Sequence, residues 1–466
     1  MQEHPVTAAD RSAARSIAPR LSRAERLALG RRLREACKRS SHAVWKPPSS
    51  RPDPVSLLHE ADRGRIAELV PLRHGRMVLS PFTFYRGAAL NMAVDLMATP
   101  VTGLRVQCCG DAHLLNFGGF ATPERRVVFS VNDLDETLTA PWEWDLKRLA
   151  ASFVLACRNN GLSESAARDA VLTCATSYRQ HMAELGEMRP LDVWYLAIEV
   201  EEAFSTMGAK LRRRGSKNLE KARERSLPED LFPKLVRTSG ESPVFKDQYP
   251  TTYHDEQVTL GMVRETMAGY RHSLAHCHRV LLDRYKLKDV AIKVVGVGSV
   301  GTACWVVLLM DVDGDPLILQ IKEARPSVLE GRAGESPFRN HGQRVVMGYE
   351  LVQPASDMFL GWTAVANGRH YYVRQLRDVK VKFPVETFGR AEMSLFVRWC
   401  GRALALSHAR SGDPAAISGY LGGSDAFDVA LAAFSFAYAD QTEKDHAALV
   451  RAVRLGKVKA SAEEAG

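Results

Sequence analysis

The stretch Val290–Lys322 reads VAIKVVGVGSVGTACWVVLLMDVDGDPLILQIK. Inside it, Gly296-Val297-Gly298-Ser299-Val300-Gly301 has the GxGxxG spacing. Two architectures use that spacing. A dinucleotide-binding turn opens a helix after its third glycine. A phosphate-covering loop instead lies between two strands. Here the next residues, Thr302–Met310, are a strand-like run of apolar and β-branched side chains. Asp311–Pro316 then supplies a hairpin turn, and a third strand, Leu317–Ile321, ends in Lys322. Glycines let backbone amides approach phosphates, and a nearby lysine neutralises their charge. Gly296, Gly298, Ser299, Gly301 and Lys322 are therefore the expected nucleotide-binding residues. Glycines between strands also make plain turns, and strand-end lysines also reach solvent, so the segment needs support from elsewhere. The DVDGDP turn is not a calcium loop: its sixth position is Pro316 and its twelfth is Lys322.

That support lies upstream. Gly110-Asp111-Ala112-His113-Leu114-Leu115-Asn116 follows an apolar strand, Leu104–Cys109. An Asp and an Asn five apart on a short loop match the catalytic-loop spacing of kinases. In that chemistry the Asp accepts the proton of an attacking hydroxyl and the Asn binds Mg²⁺. The next strand, Val127–Val131, leads into Asn132-Asp133-Leu134-Asp135-Glu136. Asp133 is the expected ligand of the bridging Mg²⁺, with Asp135 a second one. Two or three protein ligands suffice for Mg²⁺, which keeps waters and substrate phosphates. A single Asp or Asn in a loop usually caps a helix or makes an Asx-turn. Two acidic loops, each after a strand, together with a glycine loop and a lysine, are not explained that way.

The segments Phe82–Gly87 (FTFYRG), Gly110–Gly118 (GDAHLLNFG), Asn132–Glu136, Pro141–Ala150 (PWEWDLKRLA), Val294–Thr302 and Ser407–Asp413 (SHARSGD) resemble a bacterial family. It is known as domain of unknown function number twenty-two fifty-two, a name that carries no activity. The likeness runs from about Arg39 to the C-terminal region. A more distant resemblance is to protein-kinase-like phosphotransferases of the aminoglycoside and choline kinase type. It implies an α+β, two-lobed kinase-like fold and an ATP- and Mg²⁺-dependent activity. On that likeness Asp111, His113 and Asn116 match the catalytic loop, and Asp133 matches the metal motif. Asp145-Leu146 matches a segment whose Asp braces the catalytic loop without touching substrate. Two departures stand out. Cys109 occupies a position where those enzymes usually have His. The order is also inverted, with the catalytic loop preceding the glycine loop. A circular permutation is the expectation, with the helices around Phe396–His408 packing just before the catalytic loop in space.

The chain has 466 residues and a net charge of +9, with 45% hydrophobic and 25% charged residues. That composition excludes collagen-like, disordered and coiled-coil chains. Residues 1–50 carry +7 and residues 210–225 carry +6, so the remaining 400 carry −4. The expected organisation is a basic arm (1–50), a mainly helical catalytic-loop lobe (51–289), a strand-rich nucleotide-binding lobe (290–382) and a helical segment (383–466) completing the larger lobe. The arm contains one expected helix, Arg23–Arg39. Eight cysteines and no CxxC pair point to reduced thiols and a cytoplasmic protein. The longest uncharged run, Val294–Met310, is too short for a membrane helix and reads as a buried strand pair.

The partners expected are a nucleotide and a small-molecule or protein acceptor. A nucleotide-binding, pseudokinase-like regulator is the alternative. A nucleic-acid-associated protein using the basic segments is a further one, although no base-reading motif supports it. Lys322 should find a carboxylate partner, Glu330 or Glu350. His272, His276, Cys277 and His278 are dense enough to suggest zinc, but a solvated helix explains them as well. Tyr85-Arg86 could reach a phosphate, or Arg86 could pair with an interior carboxylate. His408-Ala409-Arg410 is either a helix terminus or part of the site, and Trp142 and Trp144 are expected core anchors.

Overall fold

The structure is a computed structural model that describes residues 21–461. Residues 206–211, 214–215, 218, 221–231, 233, 240–241, 295, 366–367 and 377–378 lie outside that description. The first part of the basic arm and most of the 210–225 segment therefore fall outside the described residues.

The fold is mixed α+β. Its principal helices are α1 (Arg23–Ala36), α2 (Pro54–Asp62), α3 (Val70–Met77), α4 (Pro81–Gly87), α5 (Ala89–Leu96), α6 (Trp142–Asn159), α7 (Glu164–Glu187), α8 (Leu260–Ser273), α9 (His341–Val352), α10 (Arg390–Ser411), α11 (Pro414–Leu421) and α12 (Ala426–Arg454). The strands are β1 (Arg105–Cys108), β2 (Phe117–Ala121), β3 (Val127–Val131), β4 (Leu138–Pro141), β5 (Val236–Ser239), β6 (Ser242–Phe245), β7 (Thr252–Tyr253), β8 (Lys286–Lys293), β9 (Cys304–Met310), β10 (Pro316–Ala324), β11 (Gly361–Ala364), β12 (His370–Gln375) and β13 (Lys380–Val381).

The largest sheet has six antiparallel strands in the order β11-β12-β10-β9-β8-β7. β9 (CWVVLLM) is buried at every position, as a central strand covered on both faces must be. On one face Trp305, Val307 and Leu309 pack with Val263 and Tyr270 of α8. On the other, Val306 and Leu308 pack with Val236 and Phe245 of the β5–β6 hairpin. The β9–β10 turn is an Asx-turn: Asp311 Oδ1 accepts the amides of Asp313 at 3.0 Å and Asp315 at 2.7 Å.

The helical body centres on α6, in which every residue from Trp142 to Cys157 is buried. Its charged residues have partners, as buried charge requires. Glu143 Oε1 accepts from Thr102 N and Oγ1 at 2.7 and 2.6 Å, and Lys147 Nζ donates to the Pro100 carbonyl at 3.2 Å. Trp142 stacks on Tyr178 of α7 at 5.7 Å, and both Trp142 and Trp144 are buried as expected. Two small sheets hang on this body: β1 with β4, and β13-β2-β3. They carry the two acidic loops. After β12 the chain leaves the large sheet, and β13 pairs with β2 (Val381 opposite Gly119), tying the two bodies together.

The described part of the basic arm is not loose. α1 begins with a capping box, in which Ser22 Oγ accepts from Glu25 N and Glu25 Oε2 accepts from Ser22 N. It ends at Ala36, earlier than the expected Arg39, and packs along α11. Its cations are used internally: Arg34 Nε donates to the Tyr420 carbonyl at 2.8 Å and Arg26 pairs with Asp413 at 3.1 Å. Just beyond α1, Arg39 donates to the Leu421 carbonyl at 2.6 Å. Among the described residues no helix is long and apolar enough to cross a membrane.

Candidate functional site

One cleft of about 360 Å³ lies between the six-stranded sheet and the helical body. Its lining includes Gly296, Val297, Gly298 and Ser299 of the glycine loop, Asp111, His113 and Asn116 of the first acidic loop, and Asp133, Asp135 and Glu136 of the second. Residues more than 150 positions apart in sequence thus share one cavity.

The glycine loop joins two strands, β8 and β9, so no helix follows its third glycine. Gly296 and Gly301 have positive φ (68° and 84°), which gives the loop its turns. Arginines from the helical body hold it. Arg76 donates to the Gly296 carbonyl, and Arg65 donates to that of Val300 at 2.6 Å. Gly301 lies outside the cleft lining, and its carbonyl accepts from Ile66 N at 2.7 Å.

The first acidic loop follows β1. Gly110 has φ 82°, and a Cβ there would overlap the Glu136 carbonyl, so only glycine lets the two acidic loops touch. The carboxylate of Asp111 is gripped by Arg148 of α6, with Nε 2.6 Å from Oδ1. Asn116 Nδ2 donates to the Asp111 carbonyl at 2.9 Å, leaving its amide oxygen to meet a cation. His113 Nε2 stands 3.9 Å from Asp111 Oδ2. Burial pushes the His113 pKa down to about 3, with Arg86 and Arg148 adding to the effect against Asp111, so the ring is neutral.

Asp145 lies beneath this loop. Its Oδ2 accepts from Cys109 N at 2.6 Å and its Oδ1 from Gly110 N at 3.0 Å. His408 Nε2 of α10 is 3.4 Å from the same Oδ2, and the Tyr178 hydroxyl is 2.8 Å from His408 Nδ1. α10 also packs along β1, where Ser411 Oγ accepts from Gln107 N at 2.8 Å.

In the second loop, burial and the neighbouring Asp135 raise the Asp133 pKa, against the pull of Lys322 and Arg374. Burial would raise Asp135 too, but Lys322 and the Tyr372 hydroxyl outweigh it and hold it below the usual carboxylate range. Lys322 Nζ is 2.7 Å from Asp135 Oδ2, and Tyr372 donates to Oδ1 at 2.6 Å. The partner of Lys322 is thus neither Glu330 nor Glu350. Glu330 instead lies near Arg344 and His341, both at 3.6 Å, and Glu350 is exposed. The sequence could not show the real pair because its members are 187 positions apart. Lys322 itself is 2% exposed and stands behind Asp135, outside the cleft lining.

Three groups were given no role from the sequence. Arg148 lies three residues after Asp145 on α6, within the segment that carries the family likeness. Glu136 lines the cleft, accepts from Val328 N at 2.7 Å, and is pushed up to about 6 by burial, a range suited to a general base. Arg344, buried on α9, donates to the carbonyls of Thr137 at 2.6 Å, Asp135 at 2.9 Å and Arg325 at 2.8 Å. Arg86 does line the cleft. Arg410 at the end of α10 donates to the Leu196 carbonyl at 2.7 Å and does not line it.

Among the described residues only Cys108, Asp145 and His408 bring three metal-type ligand atoms within 4.8 Å. His272, His276, Cys277 and His278 form no such group. Asp145 and His408 already hold the contacts given above. Burial, ahead of Asp145 and Glu143, raises the Cys108 thiol well above its ordinary value.

A family profile described as "Uncharacterized protein conserved in bacteria (DUF2252)" matches residues 65–452. The chain belongs to this family. The DUF2252 region begins at the arginine that holds the glycine loop and includes every cleft residue named above. No curated protein and no solved structure matches the chain.

Proposed function

We propose that this DUF2252 protein is an ATP- and Mg²⁺-dependent phosphotransferase of permuted, kinase-like architecture, acting on a hydroxyl acceptor. The observation that carries the reading is the shared cleft: a glycine loop between strands faces Asp111, Asn116, Asp133 and Asp135. The packing of α10 against β1 favours the permutation, because it places a C-terminal helix where the chain order alone would leave a gap.

The donor set fits a divalent cation. Asp133 is a half-buried carboxylate pressed towards protonation by desolvation and by a second carboxylate, and a cation would relieve both. Asp133 and Asn116 would hold it, with Asp135 beside them. Bound there, Mg²⁺ would neutralise charge on the phosphates. Arg148 fixes the Asp111 carboxylate so that Oδ2 remains to accept the acceptor's proton. Neutral His113 makes no added charge beside it.

A regulator that binds nucleotide without transfer is the second reading, favoured by the commitment of Lys322 to Asp135 and of Asp111 to Arg148. Calorimetry of ATP with and without Mg²⁺ tests the proposal, on the wild type and Asp133→Ala. Mg²⁺-dependent binding is expected in the wild type, weakened at least about tenfold in the variant. No ATP binding by the wild type would overturn it. Metal-dependent binding with no turnover on any hydroxyl acceptor would select the regulator.

A further inference from the structure

The cleft lining carries both signs: the carboxylates of Asp111, Asp133, Asp135 and Glu136, with Glu60, Glu323 and Glu330, and the guanidinium groups of Arg65, Arg73, Arg86, Arg325 and Arg332. Such a lining suits a ligand that brings both a cation and bare oxyanions.

Four of these arginines already donate to protein oxygens. Arg65 reaches the carbonyls of Ala61 and Val300. Arg73 reaches Asp62 and the Gly87 carbonyl, both through hydrogen bonds shorter than 3 Å. Arg325 reaches the carbonyls of Ala61 and Arg63, and Arg332 those of Val328 and Glu330. Arg86 differs. None of its nitrogens donates to a protein atom among the described residues, and its Nε, like that of Arg73, is buried without a partner. A buried guanidinium donor left unmet is costly, so a partner from outside the chain is the physical expectation.

The placement of Arg86 is built in. α4 starts with Pro81 at its first turn and a capping box between Ser80 and Thr83, and it carries Arg86 in its last turn. Gly298 rests on the Arg86 carbonyl: a Cβ there would stand 3.2 Å from that oxygen. Burial lowers the Arg86 pKa, while Glu386 and then Asp111 favour the charged guanidinium. Arg86 thus lies between the glycine loop and the acidic loops. Lys322 cannot serve there without leaving Asp135.

We propose that Arg86 is the cation that binds phosphoryl oxygens in this cleft, in the place a strand-end lysine would otherwise take. The proposal rests on the phosphotransferase reading for the site but not for the adenine. A phosphate is favoured over a carboxylate because it has oxygens enough to meet a cation at Asp133 and both prongs of the guanidinium at Arg86. The fork of an arginine matches two phosphate oxygens at once.

Titration calorimetry with Mg²⁺-tripolyphosphate, which lacks the nucleoside, and with Mg²⁺-ATP tests this on the wild type, Arg86→Ala and Arg86→Lys. Arg86→Ala should weaken tripolyphosphate binding about ten- to a hundredfold. Arg86→Lys should recover only part of it, since an ammonium lacks the fork, and it also serves if the alanine variant fails to fold. Tripolyphosphate binding that depends on Arg86 without ATP binding would support Arg86 and sink the ATP reading. Wild-type binding that Arg86→Ala changes less than twofold would overturn the assignment of Arg86 and leave the ATP reading intact. A wild type that binds neither probe overturns both.

Discussion

Asp145 commits both carboxylate oxygens inside the protein: one to Gly110 N, the other to Cys109 N and the side of His408. Burial alone would raise its pKa. The hydrogen bond and charge of His408, with the Cys109 contacts, more than reverse that and hold it below the usual carboxylate range. A depressed carboxylate contributes stability that is complete above its unfolded pKa, near 3.9, and is lost as pH falls through the lower folded value. Asp145→Asn should therefore destabilise the protein by about 3 kcal/mol near neutral pH, since one partner of a buried pair is removed. The gap to the wild type should narrow below about pH 4. Urea unfolding at pH 7 and pH 3.5 checks both parts; a gap that is the same at both would refute the ionic role.

At the scale of elements, the sequence was most legible where local pattern decides the outcome. β9 was readable because a run of apolar and β-branched residues between glycines and an aspartate-rich turn has few alternatives. Its observed start, Cys304, lies two residues after Thr302, where the strand-like run begins. β10 runs on past Lys322 to Ala324, which no local signal marks, because pairing with His370 of β12 sustains it. The candidate loops were legible through their spacing. Their connections were not: Arg148 to Asp111, Lys322 to Asp135 and Asp145 to His408 join elements whose proximity only tertiary packing creates. The crossing of α1 and α11 belongs to the same class. A Cβ on Gly30 would overlap the Ala416 carbonyl, and one on Gly419 would overlap that of Leu27. The backbones touch, so Gly30→Val should force the helices apart. We expect a loss of about 1–3 kcal/mol and faster tryptic cleavage near Lys38, while ligand binding at the distant cleft is unchanged. Unaltered cleavage would show that α1 does not depend on this contact.

Over the whole molecule, the sheet and the helical body meet through apolar clusters, in which Val297 packs with Met77 and Phe84 and Val300 with Leu69 and Leu72, and through buried cations. Lys322 of β10 bonds Asp135, Arg65 holds Val300, and Arg344 of α9 fixes three carbonyls on both sides of the cleft. Each body has its own core: Trp305, Val307 and Tyr371 with α8 in one, and α6, α7 and α10 in the other. The buried cations are expected to carry much of the coupling that makes the two cores unfold together. Arg344→Met keeps much of the volume but leaves the Thr137, Asp135 and Arg325 carbonyls without their donor, a loss of at least about 3 kcal/mol. Scanning calorimetry should show one transition for the wild type and two for the variant, the earlier from the smaller core of the six-stranded sheet. A single transition moved to lower temperature would mean that the bodies are coupled by other contacts, and that Arg344 supports only its own corner of the cleft.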